Sequence, residues 1–309
     1  MAQRSVVLMF VLLSALAFAA VTAAVENDVR YEVDAGGLRR SYVLHLPRGD
    51  ESRSPLPLVV ALHGGGGNAR ASARQTGFDD EADRDGFVVV HPNGTGETRP
   101  LLNAMGKGLF TWNAGTCCGY AKEHGVDDVA FIRAVVRDVE RRVAIDGRRV
   151  YATGTSNGGM MSYRLACEAS DLFAAIGVVA GAQTVAPCRP AHPVSLIHFH
   201  GMADENVPFA GGVGRNAWDK APKPPVMDAI EFWARTDGCR SAAERSKNGV
   251  VETVRFTGCR EGTEVVLNLI EGGGHSWPGG RRMLAILDPP SDAIAATPTI
   301  ARFFMAHGR

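Results

Sequence analysis

Short, unbroken apolar runs recur along this 309-residue chain, separated by segments with helical spacing. A run apolar on both faces must be buried on both faces, which happens in the middle of a parallel sheet covered by helices. Pro57-Leu58-Val59-Val60-Ala61-Leu62 and Phe87-Val88-Val89-Val90 are two such runs, and residues 150–153, 194–199 and 265–270 read as further strands. Between them, 69–85 reads as a polar helix and 159–167 as a helix after a turn. Asp127-Asp128 caps an amphipathic helix with Val129, Ile132, Val135, Val136, Val139 and Val143 at helical spacing. A last helix spans 294–306, and 33–46 reads as two extended segments around Asp34-Ala35-Gly36-Gly37. The alternation predicts an α/β fold, a mostly parallel central sheet with helices on both faces. The irregular stretches 94–125 and 208–225 are too long for plain connectors and are expected to be binding loops or lids.

Residues 1–24 combine one charge, Arg4, with an apolar run and small residues ending Val21-Thr22-Ala23-Ala24. That is the layout of a cleaved signal peptide, so 25–309 is expected as a single exported domain, extracellular or periplasmic. A retained membrane anchor is the rival reading, because the uncharged run is just long enough to span. Lys plus Arg number 33 against 33 Asp plus Glu; without Arg4 the balance is 32 to 33. A near-neutral chain offers no electrostatic footprint for nucleic acid or, once the leader is gone, for an anionic membrane.

An oxidising compartment favours paired cysteines, and the six contain no C-x-x-C knuckle. Cys167–Cys188 and Cys239–Cys259 would each close a loop of about 20 residues, worth about 3 kcal/mol in the chain-entropy picture. Cys117 and Cys118 are left to bridge each other or to stay reduced.

Gly154-Thr155-Ser156-Asn157-Gly158 fits the G-x-S-x-G nucleophile elbow, with a strand before it and a helix after it. A serine hydroxyl needs a histidine to take its proton and a carboxylate to hold that histidine. Asp204 lies just past the run 194–199, and His275 follows Gly272-Gly273-Gly274 just past 265–270. Both positions are carboxyl ends of strands, where open parallel sheets place their sites. Ser156, Asp204 and His275 are therefore the expected triad, with Glu205 as the fallback acid.

The oxyanion needs two N–H donors aimed at one point. Asn157, after the nucleophile, should give one. His63-Gly64-Gly65-Gly66-Gly67 should give the other, from Gly65 or else from Gly64 or Gly66. Trp112 and Trp277 are candidates for an aromatic substrate wall, against a packing role for each. His198 and His200 with Asp204 could imitate a metal set, but no fourth ligand is evident and no metal is expected.

Together His63-Gly64-Gly65, Thr111-Trp112-Asn113-Ala114-Gly115-x-Cys117-Cys118-Gly119, Val126-Asp127-Asp128-Val129, the elbow, His200-Gly201-x-x-Asp204-x-x-Val207-Pro208 and Gly273-Gly274-His275-Ser276-Trp277-Pro278-Gly279 resemble the secreted polyhydroxybutyrate depolymerase/feruloyl esterase family. The resemblance runs from about Tyr31 to the C-terminus. It implies an α/β-hydrolase fold, ester hydrolysis without a cofactor, and the same triad. Related enzymes often carry Cys where Gly65 stands, a difference that a backbone donor does not feel. The implied substrates are feruloylated or acetylated cell-wall polysaccharide, or hydroxybutyrate oligomer or polymer. The length leaves little room for a polymer-binding domain, which favours soluble aromatic esters. A serine peptidase and a carbohydrate-binding protein with a relic site are the competing classes; the intact triad weighs against the second.

Overall fold

The computed structural model describes residues 28–49, 55–97, 109–240, 242–283 and 287–309. The expected leader, 1–24, lies outside them. The described strands are β1 (Asp28–Ala35), β2 (Leu38–His45), β3 (Leu56–Leu62), β4 (Val88–Pro92), β5 (Ile145–Thr155), β6 (Ala175–Val179), β7 (Ser195–Gly201), β8 (Glu244–Asn248), β9 (Val251–Phe256) and β10 (Val265–Ile270). They form one sheet in the order β1-β2-β4-β3-β5-β6-β7-β10-β9-β8. The block from β4 to β10 is parallel, and β1-β2 and β9-β8 close its two edges antiparallel.

Burial follows this arrangement. β4, β6, β7 and β10 are buried throughout, while the edge strand β8 is exposed throughout. Along β3, Leu58, Val60 and Leu62 join one core and Val59 and Ala61 the other, because successive side chains take opposite faces. The first core is covered by α4 (Asp128–Glu140), α5 (Asn157–Glu168) and α6 (Val226–Thr236). The second is covered by α2 (Phe78–Asp85) and α7 (Ala296–Ala306). The remaining helices are α1 (Ala69–Thr76) and the single-turn α3 (Gly119–Glu123).

Local chemistry explains where elements start and stop. Asp127 caps α4, its side chain accepting from the Ala130 N–H at 2.9 Å. The polar helix expected over 69–85 is two helices, since Gly77 takes φ +67° and gives its N–H to Ala73 O. The β8–β9 hairpin, β6 and α6 were absent from the sequence reading. Cys167–Cys188 ties the end of α5 to the segment before β7, and Cys239–Cys259 ties the turn after α6 to the loop after β9. Cys117 and Cys118 are bonded to each other.

One buried carboxylate is held against its preference. Asp237, just past α6, is fully buried, and its Oδ1 accepts a long 3.4 Å bond from the Val194 N–H. Burial pushes its pKa from 3.8 up to about 7. Between those values the folded chain keeps a proton that the unfolded chain has released, so this group's contribution falls as pH rises through that window. Asp237→Asn is therefore expected to raise Tm relative to the parent by more at pH 8 than at pH 5. Thermal melts at the two pH values check this; an equal difference at both would refute it.

Candidate active site

The elbow is built by steric exclusion. Ser156 sits between β5 and α5 with φ +55° and ψ −122°, a strained conformation for a residue with a Cβ. Its N–H bonds Val179 O at 2.8 Å, and its carbonyl accepts from Met160 N at 2.9 Å. A Cβ on Gly154 would lie 2.5 Å from the Gly158 carbonyl carbon, and one on Gly158 would overlap Leu62 O and reach His63 O at 2.6 Å. Those contacts press the elbow against the end of β3, where the glycine loop begins.

The expected acid and base stand on neighbouring loops. Asp204 is buried after β7, its Oδ1 accepting the Asn206 and Val207 N–H groups at 2.8 Å each. Its Oδ2 lies 2.7 Å from His275 Nδ1. Burial pushes the Asp204 carboxyl up, but the hydrogen bond and charge of His275, joined by smaller contributions from His200 and the Val207 N–H, together hold the pKa below the usual carboxylate range. Ala203 N–H bonds Gly273 O at 2.8 Å, joining the two loops, and Asp288 Oδ2 accepts the His275 N–H at 2.6 Å. Glu205, the fallback acid, instead pairs with Arg215 and Asn216.

With Nδ1 engaged, His275 has Nε2 left for the substrate side, and it lines one cavity of about 150 Å³ together with Ser156. No hydrogen bond joins the two side chains here; such contacts are often loose in unliganded enzymes. Gly65 and Asn157 line the same cavity. In the glycine loop, Gly66 N–H is spent on Phe110 O (2.8 Å) and Gly67 N–H on Gly64 O (2.9 Å). The Gly65 and Asn157 N–H groups have no acceptor among the described residues. His63 anchors the loop: its Nδ1 donates to Gly64 O at 2.8 Å and its Nε2 accepts the Gly94 N–H at 3.0 Å. Burial lowers its pKa to about 4, so it stays neutral.

Both tryptophans expected at the substrate are packing residues. Trp112 is fully buried, its indole N–H donates to His63 O at 2.9 Å, and its ring lies 4.8 Å from that of His63. Trp277 is 1% exposed, bonds Thr297 Oγ1 at 2.9 Å and packs edge-on against Phe78. Neither lines the cavity. Trp218 does, 59% exposed, its ring against Gly65 and Gly119. The stretch 208–225 had been singled out by its length, but nothing marked this residue within it. The Cys117–Cys118 bridge and Met160 form further walls. His198 and His200 do not form a metal set, because each ring nitrogen already has a partner.

The family model for esterase PHB depolymerase matches residues 40–191. The chain is 32% identical over 273 residues to the protein named "Putative esterase NocK" of Nocardia uniformis subsp. tsuyamanensis, covering 81% of this chain and 74% of that one. The chain belongs to the polyhydroxybutyrate depolymerase/feruloyl esterase family. This esterase is also 31% identical to "Probable feruloyl esterase C" of Aspergillus clavatus, over 78% of each chain. Among solved structures it superimposes on the acetyl xylan esterase from Aspergillus awamori with a TM-score of 0.58 at 16% identity, covering 80% of this chain and 94% of that one. The fold is that of the α/β-hydrolases, and the chain is a carboxylic ester hydrolase.

The two glycines separate tight packing from open space. A Cβ on Gly65 would meet Trp218 and Asn157 only at 3.5–3.6 Å, ordinary contact. Gly65→Ala is expected to fold and to keep kcat within about tenfold, whereas losing an oxyanion donor costs about 10²–10³. Gly158→Ala, overlapping two carbonyls, is expected to lower Tm sharply. Melting curves and ester turnover on both variants check this contrast, and equal tolerance at both positions would refute it.

Proposed function

We propose that this esterase works through Ser156, His275 and Asp204 as nucleophile, base and acid, with the Gly65 and Asn157 N–H groups as oxyanion donors. His275 Nε2 takes the Ser156 hydroxyl proton as Oγ adds to the ester carbonyl, and Asp204 stabilises the imidazolium. The tetrahedral oxyanion collapses, and the leaving alkoxide receives that proton from His275 and departs as the alcohol. Water, deprotonated by His275, then attacks the acyl-enzyme and releases the acid and Ser156. The carrying observation is the 2.7 Å bond between His275 and a buried, ionised Asp204 at the cavity that Ser156 lines.

The substrate we assign is an ester of an aromatic acid, of the feruloyl type, on plant cell-wall polysaccharide. An exposed Trp218 in a cavity also lined by Met160 and the Cys117–Cys118 bridge suits a flat aromatic group. Aromatic pairs add about 0.5–1.5 kcal/mol beyond area burial, and methionine sulfur–aromatic contacts about 0.3–1.5 kcal/mol. The names of the fungal relatives agree with this reading. Hydroxybutyrate oligomers are the second reading, favoured by the family match. Export is part of the proposal; the leader composition and the three bridges support it.

Acid release from methyl ferulate, beside a hydroxybutyrate trimer, tests both levels. Ser156→Ala is expected to lower kcat by about 10⁴ or more; a loss below tenfold would refute the nucleophile. Trp218→Ala is expected to raise KM for methyl ferulate about three- to tenfold while leaving the trimer nearly unchanged. Preference of the parent for the trimer would overturn the aromatic assignment.

A further inference from the structure

Behind the proposed acid, a row of buried polar side chains plays no part in the chemistry just described. His198 and His200 both lie on β7, two residues apart and therefore on one face, toward Tyr163 of α5. Tyr163 Oη is 2.7 Å from His198 Nδ1, His198 Nε2 is 3.1 Å from His200 Nδ1, and His200 Nε2 is 2.8 Å from Val207 O. All three side chains are completely buried.

The last acceptor fixes the direction of every bond. A carbonyl oxygen only accepts, so His200 Nε2 must carry hydrogen. A neutral His200 then accepts at Nδ1, His198 donates from Nε2 and accepts at Nδ1, and the Tyr163 hydroxyl donates to it. Adding a proton to either ring would turn His198 Nδ1 into a donor and the Tyr163 hydroxyl from donor to acceptor, leaving the hydroxyl hydrogen without its partner in a buried site. Burial lowers the pKa of both histidines, which keeps them neutral and the direction intact.

The row ends on the peptide that holds the acid. Val207 gives its N–H to Asp204 Oδ1 and its carbonyl to His200, so the turn that grips the carboxylate is fixed at both ends of one residue. His200 Nε2 also lies 3.7 Å from Asp204 Oδ2, the oxygen that faces His275. The charged and titratable groups bearing on His200 are Asp204, His198 and His275. A charged His200 would compete with His275 for that oxygen; a neutral one shields it from water and leaves its charge to the base.

We propose that His200, held in its neutral Nε2–H form by His198 and Tyr163, is a positioning residue that sets the Asp204 turn against His275. This rests on Asp204 being the acid, so Asp204→Asn is measured alongside and is expected to lose about 10⁴ in kcat. His200→Phe removes the bond to Val207 O. It is expected to lower kcat about 10–100-fold with KM within about twofold, since small misplacements of a reacting group cost that much. The acid limb of the kcat/KM profile should move to lower pH, because His275 loses part of the carboxylate that stabilises its cation. His200→Gln, whose amide can still donate to Val207 O, should restore most of kcat and the position of the limb.

A His200→Phe enzyme with kcat within twofold of the parent, or with activity falling only as the folded fraction falls and the limb unmoved, would overturn the proposal. Should that variant not fold, Tyr163→Phe carries the test by deleting one oxygen and leaving His198 Nδ1 without its donor. A kcat lowered about threefold with a shifted limb would support the proposal, and an unchanged profile would overturn it. Activity retained in Asp204→Asn would instead overturn the acid assignment, and the positioning role with it.

Discussion

The side-chain amide of Asn157 grips the backbone of Trp112 from both sides: its Oδ1 accepts the Trp112 N–H at 2.7 Å and its Nδ2 donates to the Trp112 carbonyl at 2.9 Å. Most of the site's geometry depends on that clamp. Through its indole N–H, Trp112 also holds His63 O, the start of the glycine loop. One buried residue thus ties the first turn of α5 to the loop beyond β3, the two segments that present free N–H groups to the cavity. An apolar residue at 157 would leave both Trp112 backbone groups unpaired in a dry interior, which costs about 1–3 kcal/mol for each. The same clamp is braced from outside, because Asp128 at the start of α4 accepts the Asn113 N–H at 2.7 Å and faces Arg40 of β2 at 2.7 Å.

What could be read from the sequence and what could not divides along a physical line. The placement of Ser156, Asp204 and His275 at strand ends was legible because glycines and chain order restrict where such residues can stand, and the backbone decides it. The apolar runs of β3 and β4 were legible because burial on both faces leaves a continuous signature, while β5, β7 and β10 showed as strands despite interrupting polar residues. β6 was harder: Ala175-Ile176-Gly177-Val178-Val179 is short, and Gly177 sits where a Cβ would press on Ile300. The hairpin of β8 and β9 carries the turn residues Asn248 and Gly249, yet β8 has no apolar face to advertise it.

Side-chain direction was the larger blind spot. Trp112 and Trp277 adjoin motif residues, and nearness in sequence suggested nearness to substrate. The chain at both points turns the indole inward, where its N–H finds a buried oxygen as its polar end requires. Trp218 stands in a stretch without periodicity, and only tertiary contacts bring it over Gly65. The histidine pair on β7 was weighed as a ligand set from its i, i+2 spacing alone. Spacing shows that two rings share a face; it does not show that Tyr163 and Val207 O already occupy the outermost nitrogens of the row.

The walls of the cavity are held by a different chemistry from its floor. Lys223 is buried, and its ammonium donates to Asp219 Oδ1 at 3.0 Å, Asp219 Oδ2 at 2.8 Å and Ala221 O at 2.8 Å. Its backbone exchanges two 2.8 Å bonds with Gly212, and the Val226 N–H bonds Phe209 O at 3.0 Å, so 208–225 is internally cross-braced. All three ammonium protons are used, which leaves none for a substrate carboxylate. The paired Asp219 and Lys223 therefore present balanced charge beside Ser156, and an anionic acyl group would have to leave water without gaining a counter-ion there. A neutral acyl chain meets no such cost. The wall that carries Trp218 is also tied to the strand end, because Glu205, next to Asp204, accepts the Asn216 N–H at 2.9 Å and pairs with Arg215. The shape of the cavity and the placement of the carboxylate therefore share one loop.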